Sequence, residues 1–291
     1  MLYCLFCIGE NMKKMISLSF YLLLISSLFF VSGCIDYSSD TSSTGDPGEQ
    51  NVIQDDILYQ VSTIDALLEG LYGGEVSMDE LKLHGDTGLG TFDSLDGEMI
   101  VIDGDVYQMR ADGIAYPVDD TTTTPFAAVT YFESDESIAV EGNLNSSEVA
   151  LLIGDILPSE NIMYAIRIDG TFEHMKVRSV PAQEEPYTLL VDVIADEQAV
   201  FELEDVEGSI VGFWLPYYVE GINVPGYHFH FIDSEREMGG HVLDYVILNG
   251  TVSVDYTAGF ELSLPESSGF MNADLSRDKG TELHTVEKDG E

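Results

Sequence analysis

The stretch GYHFHFIDSEREMGGH, residues 226 to 241, holds His228, His230 and His241, half of the 6 histidines in a chain of 291 residues. Side chains two apart on a β-strand point to the same face. A strand over 227 to 232 therefore sends His228 and His230 to one side, and Phe229 and Phe231 to the other. The polar segment DSEREMGG ends in two glycines and suits a hairpin or bulge that returns His241 opposite the pair. Three imidazole nitrogens leave a coordination position open, which a catalytic Zn2+ or similar divalent ion needs. Structural zinc sites are instead closed and rich in cysteine. The chemistry expected is that of a metal which substrate or water can reach. His84, His174 and His284 stand alone and are given no such role.

Positioning three imidazoles calls for strands, and the pattern supplies them. EMIVID and VYQMR flank Gly104-Asp105, AAVTYF follows, and NIMYAIRID and TFEHMKVRSV flank Gly170. GSIVGFW, YHFHFI, and HVLDYVIL joined to TVSVDY by Asn249-Gly250 continue the series, the last a strong hairpin signal. Helices are fewer. STIDALLEGLY spaces Ile64, Leu67, Leu68 and Leu71 on one face, Ser77 with Glu80 reads as a capping box, and another helix is expected over 147 to 156. The fold class is α+β and strand-dominated, with two mixed or antiparallel sheet halves and a few short helices. The preferred division sets an α+β half over 53–185 against a β-rich half over 186–291 that carries the histidines.

The beginning of the chain reads differently. Lys13-Lys14 precedes an apolar run from Ile16 to Val31, the layout of a signal peptide, and Met12 fits as its start. The run is shorter than the roughly 20 residues of a spanning helix and ends in VSGC, which presents Cys34 for lipidation. Residues 1–33 are thus expected to be removed, and 34–52, polar and rich in Ser and Gly, to tether the domain to the outer face of the cytoplasmic membrane. The other cysteines, Cys4 and Cys7, leave with the precursor, so no disulfide is expected. With 53 acidic residues against 11 basic, a net charge of −42 argues against nucleic acid as a partner. It reads as a solvated surface, suited to a salty medium that screens self-repulsion.

GYHFHFIDSEREMGGHVLDY, taken with GDTGLGTFDSLDGEMIVIDGDVYQ (85 to 108) and VDDTTTTPFAAVTYF (118 to 132), resembles the α-acetolactate decarboxylase family in order and spacing. The likeness runs from about Ile57 to about Glu287 and takes in NIMYAIRIDGTFEHMKVRSV and ADLSR. It implies zinc-dependent decarboxylation of (S)-2-acetolactate to (R)-acetoin, the step leading toward butanediol, and a homodimer. Such decarboxylases commonly work in the cytoplasm, so an exported, lipid-anchored chain departs from the pattern.

The chemistry of that reaction matches the residues. Acetolactate can chelate one ion through its hydroxyl and ketone oxygens. A ketone so polarised accepts the electron pair released with CO2 as an enediolate, so no organic cofactor is called for. The chain has no GxxxxGK[ST] loop to cradle one. Proton delivery to the enediolate suits a carboxyl group with a raised pKa, and the resemblance points to Glu98 in LDGE, with Thr91 in GTF nearby. The substrate carboxylate suits a guanidinium, which stays charged and pairs bidentately. Of five arginines, Arg178 in VRSV matches the family's active-site arginine. A glutamate from the C-terminal tail corresponds to Glu287, with Glu282 and Glu291 close by in sequence. Two rival readings remain, a zinc enzyme acting on another small hydroxy-keto acid and a metal-binding surface lipoprotein without activity. Glu98 and Arg178 speak for the decarboxylase over both.

Overall fold

The computed structural model describes residues 56 to 287. The signal segment, Cys34 and the tether lie outside them. Among the described residues no helix is long and apolar enough to cross a membrane. The strands in chain order are β1 (Ile57–Val61), β2 (Val76–Ser77), β3 (Thr87–Thr91), β4 (Glu98–Ile102), β5 (Asp105–Met109), β6 (Ala115–Pro117), β7 (Thr123–Thr124), β8 (Ala127–Thr130), β9 (Glu136–Asn145), β10 (Met163–Ser179), β11 (Ala199–Leu215), β12 (Gly226–Asp233), β13 (Gly239–Thr257) and β14 (Gly259–Ser263). The helices are α1 (Ile64–Leu68), α2 (Met78–Leu81), α3 (Ser146–Ile156), α4 (Leu190–Glu197), α5 (Ser268–Asn272) and α6 (Gly280–Glu287).

One sheet has seven strands in the order β14-β1-β8-β3-β4-β5-β6, antiparallel except for the parallel pair β1 and β14. β2 and β7 form a small two-stranded sheet, and the remaining sheet is antiparallel, ordered β10-β11-β12-β13-β9. Its β13 also pairs with β10, so β10 to β13 form a closed ring of strands. This is the strand-dominated α+β architecture expected. The residues before and after 185 each contribute strands to both sheets, because β9 and β10 pair with late strands and β14 pairs with β1.

Three local expectations are corrected. Asn249-Gly250 is not a hairpin turn but the middle of the continuous strand β13, and Gly170 likewise sits inside β10. Asn249 and Gly250 pair with Thr171 and Gly170 on one side and with Glu141 and Val140 on the other. Both flanks are therefore saturated by a neighbouring strand, and a turn would break both ladders. The glycines serve close approach instead, since a Cβ on Gly250 would stand 2.6 Å from the Asp169 carbonyl oxygen. The second correction is at Ser77. It precedes α2 but makes no capping hydrogen bond, because its hydroxyl turns to the Asp79 carboxylate. The capping box forms at α3, where the Asn145 side chain accepts from the Glu148 amide (3.0 Å) and Glu148 accepts from the Asn145 amide (2.9 Å). The break expected at Gly104-Asp105 lies one residue earlier: Asp103 and Gly104, both at positive φ (54° and 81°), join β4 to β5, and Asp105 is already the first residue of β5.

Burial follows the alternation. Phe229 and Phe231 enter the ring's own core with Phe172, Tyr245 and Ile247. The faces of the two sheets meet through Ile100, Ile102 and Met109 on one side and Val211 and Ile232 on the other. A separate cluster gathers α1, α4 and α6 through Ile64, Leu67, Leu190, Ile194, Leu283 and Val286, and these helices roof the ends of the strands that carry the histidines.

Candidate active site

β12 and β13 form the hairpin that the histidines require. Asp233 holds its turn, accepting through Oδ1 from the amides of Glu237 (2.7 Å) and Met238 (3.0 Å). His230 and His241 become direct cross-strand partners, and His228 lies two residues along on the same face. The three rings stand 5.1 to 5.4 Å apart between centroids, and one ligand atom from each lies within 4.8 Å of the others.

All three imidazoles are buried. Burial, with the Arg178 guanidinium adding to it, brings His228 down to about 3. His230 and His241 lie well below their ordinary value for the same first reason, with neighbouring positive groups contributing. They are therefore neutral, with lone pairs free to bind a metal. His230 Nδ1 is 2.6 Å from the Met99 carbonyl oxygen. A carbonyl only accepts, so Nδ1 carries the proton and Nε2 keeps the lone pair that faces the cluster. Supports of this kind orient metal-binding histidines. This donor set could hold a divalent ion, which would supply Lewis-acid chemistry at this point of the site.

Arg178 on β10 is the cross-strand partner of His241, so His230, His241 and Arg178 form a row across three adjacent strands. Its side chain is buried, and Nε and Nη1 have no hydrogen-bond partner among the described residues. A buried guanidinium with idle N–H groups costs several kcal/mol unless an anion approaches it.

From the other sheet come Glu98 and Thr91, paired across β4 and β3. The Thr91 hydroxyl donates to the Gly97 carbonyl at 2.7 Å and so fixes the turn that delivers Glu98. Glu98 Oε2 lies 3.5 Å from His230 Nε2. Glu287, the last residue of α6, places Oε2 3.8 Å from Nε2 of both His228 and His241. Glu282 lies in the first turn of the same helix, and Glu291 is outside the described residues. Burial pushes the Glu98 carboxyl up to about 7, against the pull of Arg178 and with the push of Glu287. Glu287 also rises to about 7 by burial, again opposed by Arg178.

These groups line one narrow cleft, walled on its apolar side by Ile64, Leu67, Leu95, Phe126, Leu190 and Ile194. A second, roomier recess, reaching α3 and Tyr227, shares His228, His241 and Glu287 with it. Thr91, Glu98, Arg178, His228, His230, His241 and Glu287, singled out in the sequence, thus converge, while Cys34 lies outside the described residues. Sequence reasoning did not find the Met99 carbonyl or the wall from α4. The first is backbone and carries no side-chain signal. The second is an ordinary amphipathic helix until its neighbour is known. The isolated histidines stay apart from the site, with His84 stacked on Tyr59 at 3.7 Å between ring centroids and His174 beside Glu204.

The family model for alpha-acetolactate decarboxylase matches residues 58–277, which include Thr91, Glu98, Arg178 and the three histidines but stop short of Glu287. A protein named alpha-acetolactate decarboxylase from Methanosarcina mazei is 48% identical over 268 residues, 88% of this chain and 93% of that one. One of the same name from Methylococcus capsulatus is 44% identical over 234 residues, 80% of this chain and 90% of that one. The crystal structure of alpha-acetolactate decarboxylase from Bacillus subtilis strain 168 is similar to this chain with a TM-score of 0.78 and 40% identity, covering 80% of this chain and 100% of that one.

Proposed function

The chain belongs to the alpha-acetolactate decarboxylase family, and from that premise we propose that it converts (S)-2-acetolactate to (R)-acetoin and CO2, using a divalent metal ion, zinc in the first instance, held by His228, His230 and His241. The observation that carries this reading is the buried Arg178, with idle N–H groups, opening on the same cleft as three convergent neutral imidazoles. A metal site alone does not choose a reaction. A buried cation beside it selects a substrate with a carboxylate.

When bound, the ion supplies Lewis-acid polarisation of the substrate's hydroxy-ketone, the sink for electrons released with CO2. Arg178 binds and orients the carboxylate through the paired N–H groups of its fork. The bond from the carboxylate carbon to the hydroxyl-bearing carbon breaks, and the apolar wall keeps water from that carbon. Glu98 holds the proton that the carbon then receives, and its supply from one side gives a single enantiomer of the product. Thr91 positions Glu98 through the Gly97 carbonyl. Glu287 closes the cleft from the C-terminal side, and its carboxyl orients the substrate hydroxyl.

The test is incubation of the purified, metal-analysed protein with racemic acetolactate, with acetoin and CO2 measured. Production of both from one enantiomer is expected, and no turnover with stoichiometric metal bound would overturn the reading. Arg178→Lys should lower kcat/KM by about 10²-fold or more while metal content stays unchanged, because a point charge cannot replace a bidentate fork. An unaltered kcat/KM would remove Arg178 from carboxylate binding.

We further propose that the mature chain is carried on a lipid at Cys34, on the outer face of the cytoplasmic membrane. The Lys13-Lys14 pair, the apolar run and VSGC support this. Cys34→Ser should abolish labelling by a lipid precursor and leave the protein unprocessed. Equal labelling of the variant would sink the proposal.

A further inference from the structure

The carboxyl group of Glu287 reaches the histidines from the end of a helix only eight residues long, and a helix of that length does not persist by itself. Two features hold it. Leu283 and Val286 bury one face among α1 and α4. At its start, Lys279 Nζ donates to the Glu69 carboxylate, and the same oxygen accepts from Arg277 Nη2. The Lys279 side chain is only 3% exposed, and its backbone carbonyl accepts from the Leu283 amide at 2.8 Å. Glu69 in turn caps the C-terminal end of α1, whose Ile64 and Leu67 wall the cleft. These three residues thus tie the helix bearing Glu287 to the helix that shapes the apolar wall.

Stability alone does not account for such a pair. A buried ion pair contributes little net stability over an apolar contact of the same volume, but it fixes direction. Asp65, Glu220 and Asp278 line a surface recess together with Lys279, yet among the described residues its hydrogen bond goes to Glu69. At 1.5 Å rise per residue, Glu287 stands about 12 Å from Lys279 along the helix axis. A tilt of roughly 10° at the clamp would move the carboxylate about 2 Å by that geometry, and displacements near 1 Å can cost about 10²-fold in rate.

We infer that Glu69 and Lys279 are positioning residues for the reaction: their ion pair, with Lys279 buried and Glu69 partly so, sets the angle of α6 and so the place of Glu287 beside His228 and His241. The inference rests on the reading of Glu287 as part of the site, and both residues act through it without touching the substrate.

A double-mutant cycle on the full-length, metal-loaded protein tests it. Lys279→Met is expected to lower kcat about tenfold, with metal still bound and faster amide hydrogen exchange confined to α6. Lys279→Arg should restore most of the rate. In a Glu287→Gln background, Lys279→Met should cost nothing further, because the group it positions is gone. Losses that multiply, or Lys279→Met with wild-type kcat beside a crippled Glu287→Gln, would overturn the clamp and leave Glu287 in place. Wild-type kcat in Glu287→Gln would instead overturn the reading of Glu287 and the clamp with it. Should Lys279→Met fail to fold, Glu69→Leu/Lys279→Met removes both charges together, a change that buried ion pairs tolerate, and the same outcomes apply.

Discussion

His230→Ala is expected to lose both the metal and the activity. Its ring is paired with His241 across the hairpin, lies 3.5 Å from the Glu98 carboxylate and is anchored by the Met99 carbonyl. Removing one of three nitrogens should weaken metal binding by about 10²-fold or more, taking roughly 3 kcal/mol as a ligand's share of a zinc site. It also removes the hydrogen bond from Nδ1 to the Met99 carbonyl, at about 0.5–1.5 kcal/mol. Without the ion, nothing in the cleft takes up electrons from the breaking carbon–carbon bond, so turnover should fall by about 10⁴-fold or more. His84→Ala, which alters only the stack on Tyr59, serves as the control. Metal per chain after gel filtration and acetoin formation are the measurements. A His230→Ala protein with full metal and a tenth of the activity would refute the three-histidine site.

What the sequence made legible was the short-range part. Alternation in YHFHF placed two imidazoles on one face, and the polar, glycine-ended return brought the third across, because both rules depend only on neighbouring residues. Asn249-Gly250 misled for the complementary reason. Its turn propensity is local, but the ladders to β9 and β10 that saturate both flanks are not. Glu98 and Arg178 illustrate the longer range. Nothing in the composition distinguishes Glu98 among 53 acids, and the family motif alone singled it out. The fold then supplies the reason the motif encodes. Glu98 is the first residue of a strand in one sheet, Arg178 is near the end of a strand in the other, and the packing of the two sheets makes them neighbours. The clamp at Lys279 carried no sequence signal, since a lysine in a charged tail reads as solvated until Glu69 is placed beside it.

Those two sheets also divide the work. On the proposed reading, the antiparallel ring brings the metal-binding histidines and Arg178 for the substrate carboxylate, all on paired strands and hence rigid. The mixed sheet brings Glu98 to carry the proton, and the terminal helix brings Glu287. A chain with a net charge of −42 repels an anionic substrate at long range. Local positive charge at the bottom of the cleft, from Arg178 and the bound ion, must overcome that field. Its range is about 8–10 Å at physiological salt, so admission of substrate should improve as salt screens the surface.

Glu98→Gln is expected to keep the metal and lose about 10²–10⁴ of kcat, the usual contribution of a positioned acid or base. The amide preserves volume but has no acidic proton to give. The pH dependence follows from burial, which pushes the Glu98 carboxyl from 4.5 up to about 7. A bound cation beside the carboxyl lowers that value, and below the resulting pKa the group is protonated and can donate. Above it the protonated fraction falls about tenfold per pH unit, so wild-type turnover should decline with rising pH while the residual rate of Glu98→Gln should not follow that limb. Stability gives an independent check. Because the folded-state pKa is raised, the native chain binds the proton more tightly than the unfolded one, and the stability this contributes is present below 4.5 and lost as the pH rises through about 7. In metal-free protein, Glu98→Gln should therefore melt higher than wild type at pH 8, and the difference should shrink toward pH 5. A fully active Glu98→Gln, or a variant whose rate retains the wild-type alkaline limb, would show that the proton reaches the substrate from another group.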